Sequence, residues 1–162
     1  MTKLRLKSFF KTVLIFVLTF CISSAIFYFI RFPHISGPSM LPTYDSGSQL
    51  VVLYTKSVSR NDVIIIWSDE LNEFIVKRVI GVGGDTIKIY NHKLYRNGEA
   101  LYEGYLQTQD WISDFDKLDI VVPQNEVFVM GDNRKHSIDS RVIGTLSVDD
   151  IFGKVLFEIN SK

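Results

Sequence analysis

With 162 residues, 46% of them hydrophobic, and a formal net charge of zero, the chain has room for one modest domain plus an anchor. The charge is lopsided: residues 1–31 carry Lys3, Arg5, Lys7, Lys11 and Arg31 and no acid, which leaves thirteen basic against eighteen acidic residues beyond them. That acidic remainder argues against nucleic-acid binding, the single cysteine excludes an internal disulfide, and the scattered His34, His92 and His136 give no zinc-type spacing.

Thr12–Ile30 is 19 residues without a charge. As a helix it spans roughly 28 Å, close to the hydrocarbon thickness of a bilayer. Four basic residues precede it and only Arg31 follows closely, so the N-terminus is expected in the cytoplasm and the rest outside. A cleavable signal would end in small residues, whereas this run ends in Phe27, Tyr28, Phe29 and Phe32, an interfacial aromatic belt. Bulky Phe20 before Cys21 argues against a lipoprotein signal, and Cys21 reads as a small apolar residue in lipid. The predicted organisation is a basic N-terminus at 1–11, a transmembrane anchor at 12–30 and an extracytoplasmic β domain at 31–162.

Beyond the anchor the pattern has period two. Gln49–Tyr54, Asp62–Trp67, Glu73–Ile80, Thr86–Tyr90, Lys93–Arg96, Ile120–Val122, Glu126–Met130 and Lys154–Glu158 read as strands. Asp45-Ser46-Gly47, Arg60-Asn61-Asp62 and Gly81–Asp85 mark turns between them, and Asn97-Gly98 predicts a type I′ hairpin. No amphipathic helix of convincing length is expected after residue 31. The polar, aromatic segment from about 91 to 119, with Tyr102, Tyr105, Trp111 and Phe115, reads as a small cap inserted into the main β core.

Three stretches carry chemistry. Ser39, in Gly37-Pro38-Ser39-Met40-Leu41-Pro42-Thr43, is a nucleophile candidate, although a serine beside proline is on residue type alone a turn residue. Lys77 lies in Phe74–Ile80, a strand apolar on both faces. An ammonium there must snorkel out, stay unpaired at high cost or lose its proton, and a lysine that loses its proton easily is a general base. The pair suggests a serine hydrolase that uses lysine where most use histidine. The third stretch, Gly131–Arg141, follows the apolar strand Val127–Met130 and is dense in Asp, Asn, Arg and Ser; Asp139 and Arg141 are placed to pair.

With these residues in order behind an anchor, the chain resembles the type I signal peptidases of the short Gram-positive kind, in peptidase family S26. These are membrane-anchored endopeptidases that remove secretory signal peptides. The resemblance covers the anchor, Gly37–Thr43, Arg60–Val63, Phe74–Ile87 and Gly131–Arg141. It implies a mainly β fold, a signal-peptidase-like antiparallel core with a small cap insertion, preceded by one transmembrane helix. It also implies Ser39 as nucleophile, Lys77 as general base, Ser137 as the donor that orients Lys77, and a supporting Asp139–Arg141 salt bridge. The Ser39 backbone N–H helps form the oxyanion hole. Substrates are preproteins with small residues at the first and third positions before the cut, and no cofactor or metal is expected. The implied location is the cell membrane, crossed once, with the catalytic domain outside.

The chain departs from the family pattern at three places. Gly37 stands where some members have a serine that completes the oxyanion hole, and Ser36 is one residue too far upstream for that role. Gly83 stands where proline is usual, and Asn61 where glycine is usual; altered turn stiffness rather than lost chemistry is expected. Three other readings compete. A self-cleaving repressor-type protease lacks an N-terminal anchor. A non-catalytic relative serving pilus assembly or secretion lacks Ser39 or Lys77. A tethered adhesion domain needs neither residue.

Overall fold

The computed structural model describes residues 3–91, 93–106 and 117–159. It is mainly antiparallel β, with helix α1 (Lys3–Phe29) at the N-terminus. The helix is exposed throughout the stretch Lys7–Phe29, which is long and apolar enough to cross a membrane. It runs without a linker into β1 (Ile30–Arg31), which pairs with β2 (Gln49–Leu53) in the register Ile30 to Leu53. Tyr54 N–H donates to the Phe29 carbonyl at 2.7 Å, and the Arg31 guanidinium donates to the Phe27 and Tyr28 carbonyls at 2.6 and 2.7 Å. These bonds satisfy carbonyls that the last helical turn leaves open.

The remaining elements are β3 (Val63–Ser68), β4 (Glu73–Val82), β5 (Thr86–Tyr90), β6 (Lys93–Arg96), β7 (Glu99–Ala100), β8 (Lys117–Val121), β9 (Glu126–Met130), α2 (Ser140–Ile143), β10 (Leu146–Ser147) and β11 (Ile151–Ile159). One sheet has the order β1-β2-β11-β3-β4-β9-β10 and the other β7-β6-β5-β8. In the second sheet Thr86–Tyr90 is one of the two inner strands, between Lys93–Arg96 and Lys117–Val121, so the polar stretch after it supplies the partners. Trp111, Phe115 and His92 lie outside the described residues.

Alternation explains the core. On β3, Val63 and Ile65 pack with Leu50, Val52 and Met40, while Ile64 and Ile66 pack on the opposite face with Ile75, Val79, Val127 and Val129. A third cluster, with Ile80, Ile87, Ile89, Phe128 and Met130, joins the two sheets. The Asn97-Gly98 turn has φ of +54° and +87°, both in the left-handed region that a type I′ hairpin demands. Asn61 takes φ +72°, a region that asparagine tolerates, which accounts for its use where glycine is usual. At Gly83 a side chain would press on the Pro123 carbonyl and Gln124 Cα, each 3.1 Å from an added Cβ.

Between the sheets, buried Asp85 closes the turn after β4. Its carboxylate accepts from Arg60 Nε and Nη2 at 2.8 and 2.5 Å, Asn97 Nδ2 at 2.8 Å and Val82 N–H at 3.0 Å. Burial raises its pKa, but the hydrogen bonds from Arg60, Val82 and Asn97 outweigh burial and the value falls to about 2. A carboxyl depressed in the fold stabilises it above the ordinary carboxylate range, and that stability fades as pH falls towards 2. Asp85→Asn is expected to cost about 1–2 kcal/mol at pH 7. It should also flatten the loss of stability between about pH 4 and 2, read by thermal denaturation across that range.

Candidate active site

Ser39 lies in the loop between β1 and β2. Met40, only 2% exposed, packs in the core cluster beneath it and so fixes the serine at the surface of the larger sheet. Leu41 N–H donates to the Pro38 carbonyl at 3.1 Å and Tyr44 N–H to the Met40 carbonyl at 3.0 Å, a tight turn around the nucleophile candidate. Gly37 has φ +89° and donates its N–H to Ser46 Oγ at 3.0 Å; Ser36 lines the same cleft.

Lys77 occupies the middle of β4, opposite Ile64 of β3. It is 4% exposed, between Ile75 and Val79 on its own strand face. Its Nζ lies 2.9 Å from Ser39 Oγ and 3.1 Å from the Val76 carbonyl. Burial lowers the Lys77 pKa, more than the opposing pull of Asp139 and Glu73, and the Arg141 charge lowers it further.

The loop after β9 supports this pair from the other side. Asn133 N–H donates to the Ser39 carbonyl at 2.9 Å and its Nδ2 donates to the Pro38 carbonyl at 3.0 Å. Asp139 caps α2: its Oδ2 accepts from Gly131 N–H at 2.9 Å and its Oδ1 from Arg141 Nε at 2.8 Å. Arg141 in turn donates Nη2 to the Arg134 carbonyl at 2.7 Å. Asp139 and Arg141 side chains are 0% and 2% exposed, so the pair is deep inside the loop. Ser137 Oγ is also buried, but it makes no hydrogen bond among the described residues, to Lys77 or to any other group.

Two further ion pairs have no counterpart in the sequence reading. Arg78, next to Lys77, points to the opposite face and forms a bidentate bridge to Asp132 at 2.8 and 2.5 Å. Thr43 Oγ1 donates to Asp132, and Arg78 Nη1 donates to the Asn61 carbonyl at 2.9 Å. Thus Arg78 ties the serine loop, the turn before β3 and the loop after β9 together. Arg134 bridges Glu103 at 3.0 and 2.5 Å with both side chains buried, and its Nε donates to the Gly131 carbonyl at 2.9 Å. Tyr105 lies under the Arg78 guanidinium, 4.1 Å from ring centroid to Cζ, and donates its hydroxyl to Glu103 at 2.8 Å. A buried arginine next to Lys77 was the available signal, since such a charge needs a partner. The identity of that partner, 54 residues away, was not legible.

Alongside the serine and lysine runs a cleft of about 420 Å³. Residues 33–37 form one wall and Glu73–Lys77 the other. Only Arg78–Val82 of β4 pairs with β9, so among the described residues the same edge of Glu73–Lys77 carries no strand. An open edge of this kind accepts an extended peptide. Among the described residues no cluster of three His, Cys, Asp or Glu side chains is placed to hold a metal ion.

Gly131 marks the closest approach of the two loops. A Cβ there would fall 2.6 Å from the Ser39 carbonyl and closer still to the Ser137 side chain. Gly131→Ala is therefore expected to push the serine loop away and cut turnover by about 100-fold. Peptide hydrolysis measured beside the melting temperature checks this, since displacement of the loop lowers the rate more than it lowers stability.

A family model described as signal peptidase, peptidase S26, matches residues 6–159. Signal peptidase I U of Bacillus subtilis (strain 168) is 36% identical over 130 residues, 74% of this chain and 70% of that protein. A signal peptidase I P of Bacillus subtilis subsp. natto is 38% identical over 133 residues, 74% of this chain and 70% of that protein. The crystal structure of a signal peptidase I from Enterococcus faecalis V583 superposes with a TM-score of 0.52 at 30% identity. It covers 60% of this chain and 96% of the crystallised one. With the match running over nearly its whole length, the chain belongs to the signal peptidase family, peptidase S26, as an enzyme of the signal peptidase I type.

Proposed function

We propose that the enzyme is a membrane-bound endopeptidase that removes signal peptides from secretory preproteins with Ser39 as nucleophile and Lys77 as general base. It cuts after small-x-small sequences. The observation that carries this is the 2.9 Å approach of a buried Lys77 Nζ to Ser39 Oγ beside an open cleft. Residues 12–30 form the anchor, 1–11 stay in the cytoplasm, and 31–162 work outside, where preproteins emerge from the bilayer. The apolar helix and its basic N-terminal flank support that orientation.

Neutral Lys77 takes the Ser39 hydroxyl proton as Oγ bonds to the scissile carbonyl carbon. In that state Ser39 O–H donates to the amine lone pair, and a Lys77 N–H donates to the Val76 carbonyl. The carbonyl electron pair moves to oxygen, and the Ser39 N–H stabilises it. Each such donor contributes roughly 3–4 kcal/mol in well-studied hydrolases. Gly37 offers no side-chain donor, so the hole here relies on backbone. When the C–N bond breaks, protonated Lys77 gives its proton to the leaving amine. A water then attacks the Ser39 ester carbon as Lys77 takes its proton. The intermediate collapses, the ester C–O bond breaks, and protonated Lys77 gives that proton to Ser39 Oγ, which releases the acid product and restores the serine and the neutral amine.

Ser137 has the hydroxyl suited to steady the Lys77 amine, because it is buried with its hydrogen-bonding capacity unused. Asp139 and Arg141 hold the loop on which Ser137 sits. The substrate lies extended along the Glu73–Lys77 edge and faces the 33–37 wall.

Because the neutral amine is the active form, kcat/KM should rise with pH through a Lys77 pKa below the ordinary lysine value of 10.5. Ser39→Ala and Lys77→Ala should each lower preprotein cleavage by about 10⁴-fold while the protein stays folded. Cleavage of a preprotein by detergent-solubilised protein, with product mass read at each pH, checks this. An acid limb of unchanged midpoint in an active Lys77→Ala variant would remove lysine from the role of base. Cleavage at sites without small residues would overturn the specificity.

A further inference from the structure

We propose that Glu73 is a specificity determinant that favours preproteins with a lysine or arginine four or five residues before the cut. This rests on the peptidase reading above and adds a substrate class to it.

Three titratable side chains line the cleft: His34, Glu73 and Lys77. Glu73 is the one carboxylate among these lining residues. It is the first residue of β4 and is exposed. Among the described residues it forms no salt bridge, whereas the buried Arg78, Arg134 and Arg141 each hold a carboxylate. Glu73 lines the cleft four residues before Lys77 on the same strand.

Position follows from strand spacing. Glu73 and Lys77 are four residues apart and share a strand face, which puts them about 13 Å apart along the edge. A peptide extended along that edge advances at the same rate per residue. With the scissile carbonyl at Ser39 and Lys77, the side chain that reaches Glu73 is four or five residues away, beyond the two small residues at the cut.

Direction follows from the aromatic side chains at that end. Phe74, next to Glu73, packs edge-on against Phe152 at 5.6 Å between centroids. Phe152 contacts Tyr54 at 6.0 Å, and Tyr54 contacts Tyr28 of α1 at 6.4 Å. Through these three ring contacts the Glu73 end of the cleft is linked to the end of the anchor. The part of a preprotein that leaves the bilayer is the part before the cut, so it is this part that passes Glu73. A cationic side chain there gains an opposite charge, and an anionic one meets repulsion.

The test uses the full chain in detergent with matched preproteins that carry Lys, Ala or Glu at the fourth or the fifth position before the cut. The wild type should cleave the Lys form with kcat/KM about fivefold above the Glu form at low salt. The ratio should shrink as ionic strength rises. Glu73→Gln should level the series and Glu73→Lys should invert it. Because each ratio is taken within one variant, a loss of folded protein cancels. A Lys preference equal in all three enzymes, or none in the wild type, overturns the role of Glu73 and leaves the peptidase standing. Failure of the wild type to cleave the Ala preprotein overturns the peptidase reading and this inference with it.

Discussion

The site depends on keeping one amine out of water. Lys77 is a strand residue with isoleucine and valine on either side, and its 4% exposure makes the charged form costly. Only the neutral amine has a lone pair with which to accept a hydrogen bond from a hydroxyl. The cost is tolerated because neutralisation is available to lysine in a way that it is not to arginine. Arg78, one residue on, shows the contrast. It cannot lose its charge, so the fold gives it a bidentate carboxylate, a carbonyl and an aromatic ring.

Neighbouring charges then set how far the amine is pushed. Asp139 favours the protonated form and Arg141 opposes it, and the two are locked to each other at 2.8 Å. Paired in this way they act on Lys77 largely as a dipole. A lone aspartate at the same place would work against burial, so the salt bridge has an electrostatic as well as a mechanical part. The same loop holds the serine backbone through Asn133, which makes Ser39, Lys77 and the loop one hydrogen-bonded unit.

Local signals in the sequence carried the strands well. Thr86–Tyr90, Lys93–Arg96 and Glu126–Met130 have the limits that alternation suggests, and Asn97-Gly98 forms the turn its residues favour. The two-residue strands β1, β7 and β10 are too short to show a period, and β8 starts three residues before the apolar run that marked it. At the site, Lys77 stood out because its type conflicts with its surroundings. Asp132 and Glu103 did not, since a carboxylate in a polar loop conflicts with nothing until its distant arginine is known. The Ser137 hydroxyl was expected on Lys77, and it is buried with no hydrogen bond among the described residues.

The junction of α1 and β1 has a mechanical consequence. The strand begins where the helix stops, Arg31 grips the last helical turn, and Tyr54 bonds back to Phe29. There is no swivel at this joint, so torque on the helix passes directly into the sheet. Given the membrane span proposed for α1, the cleft keeps a constant height and heading over the bilayer. A preprotein is then met by lateral and rotational drift of the whole molecule, rather than by a catalytic head swinging on a tether.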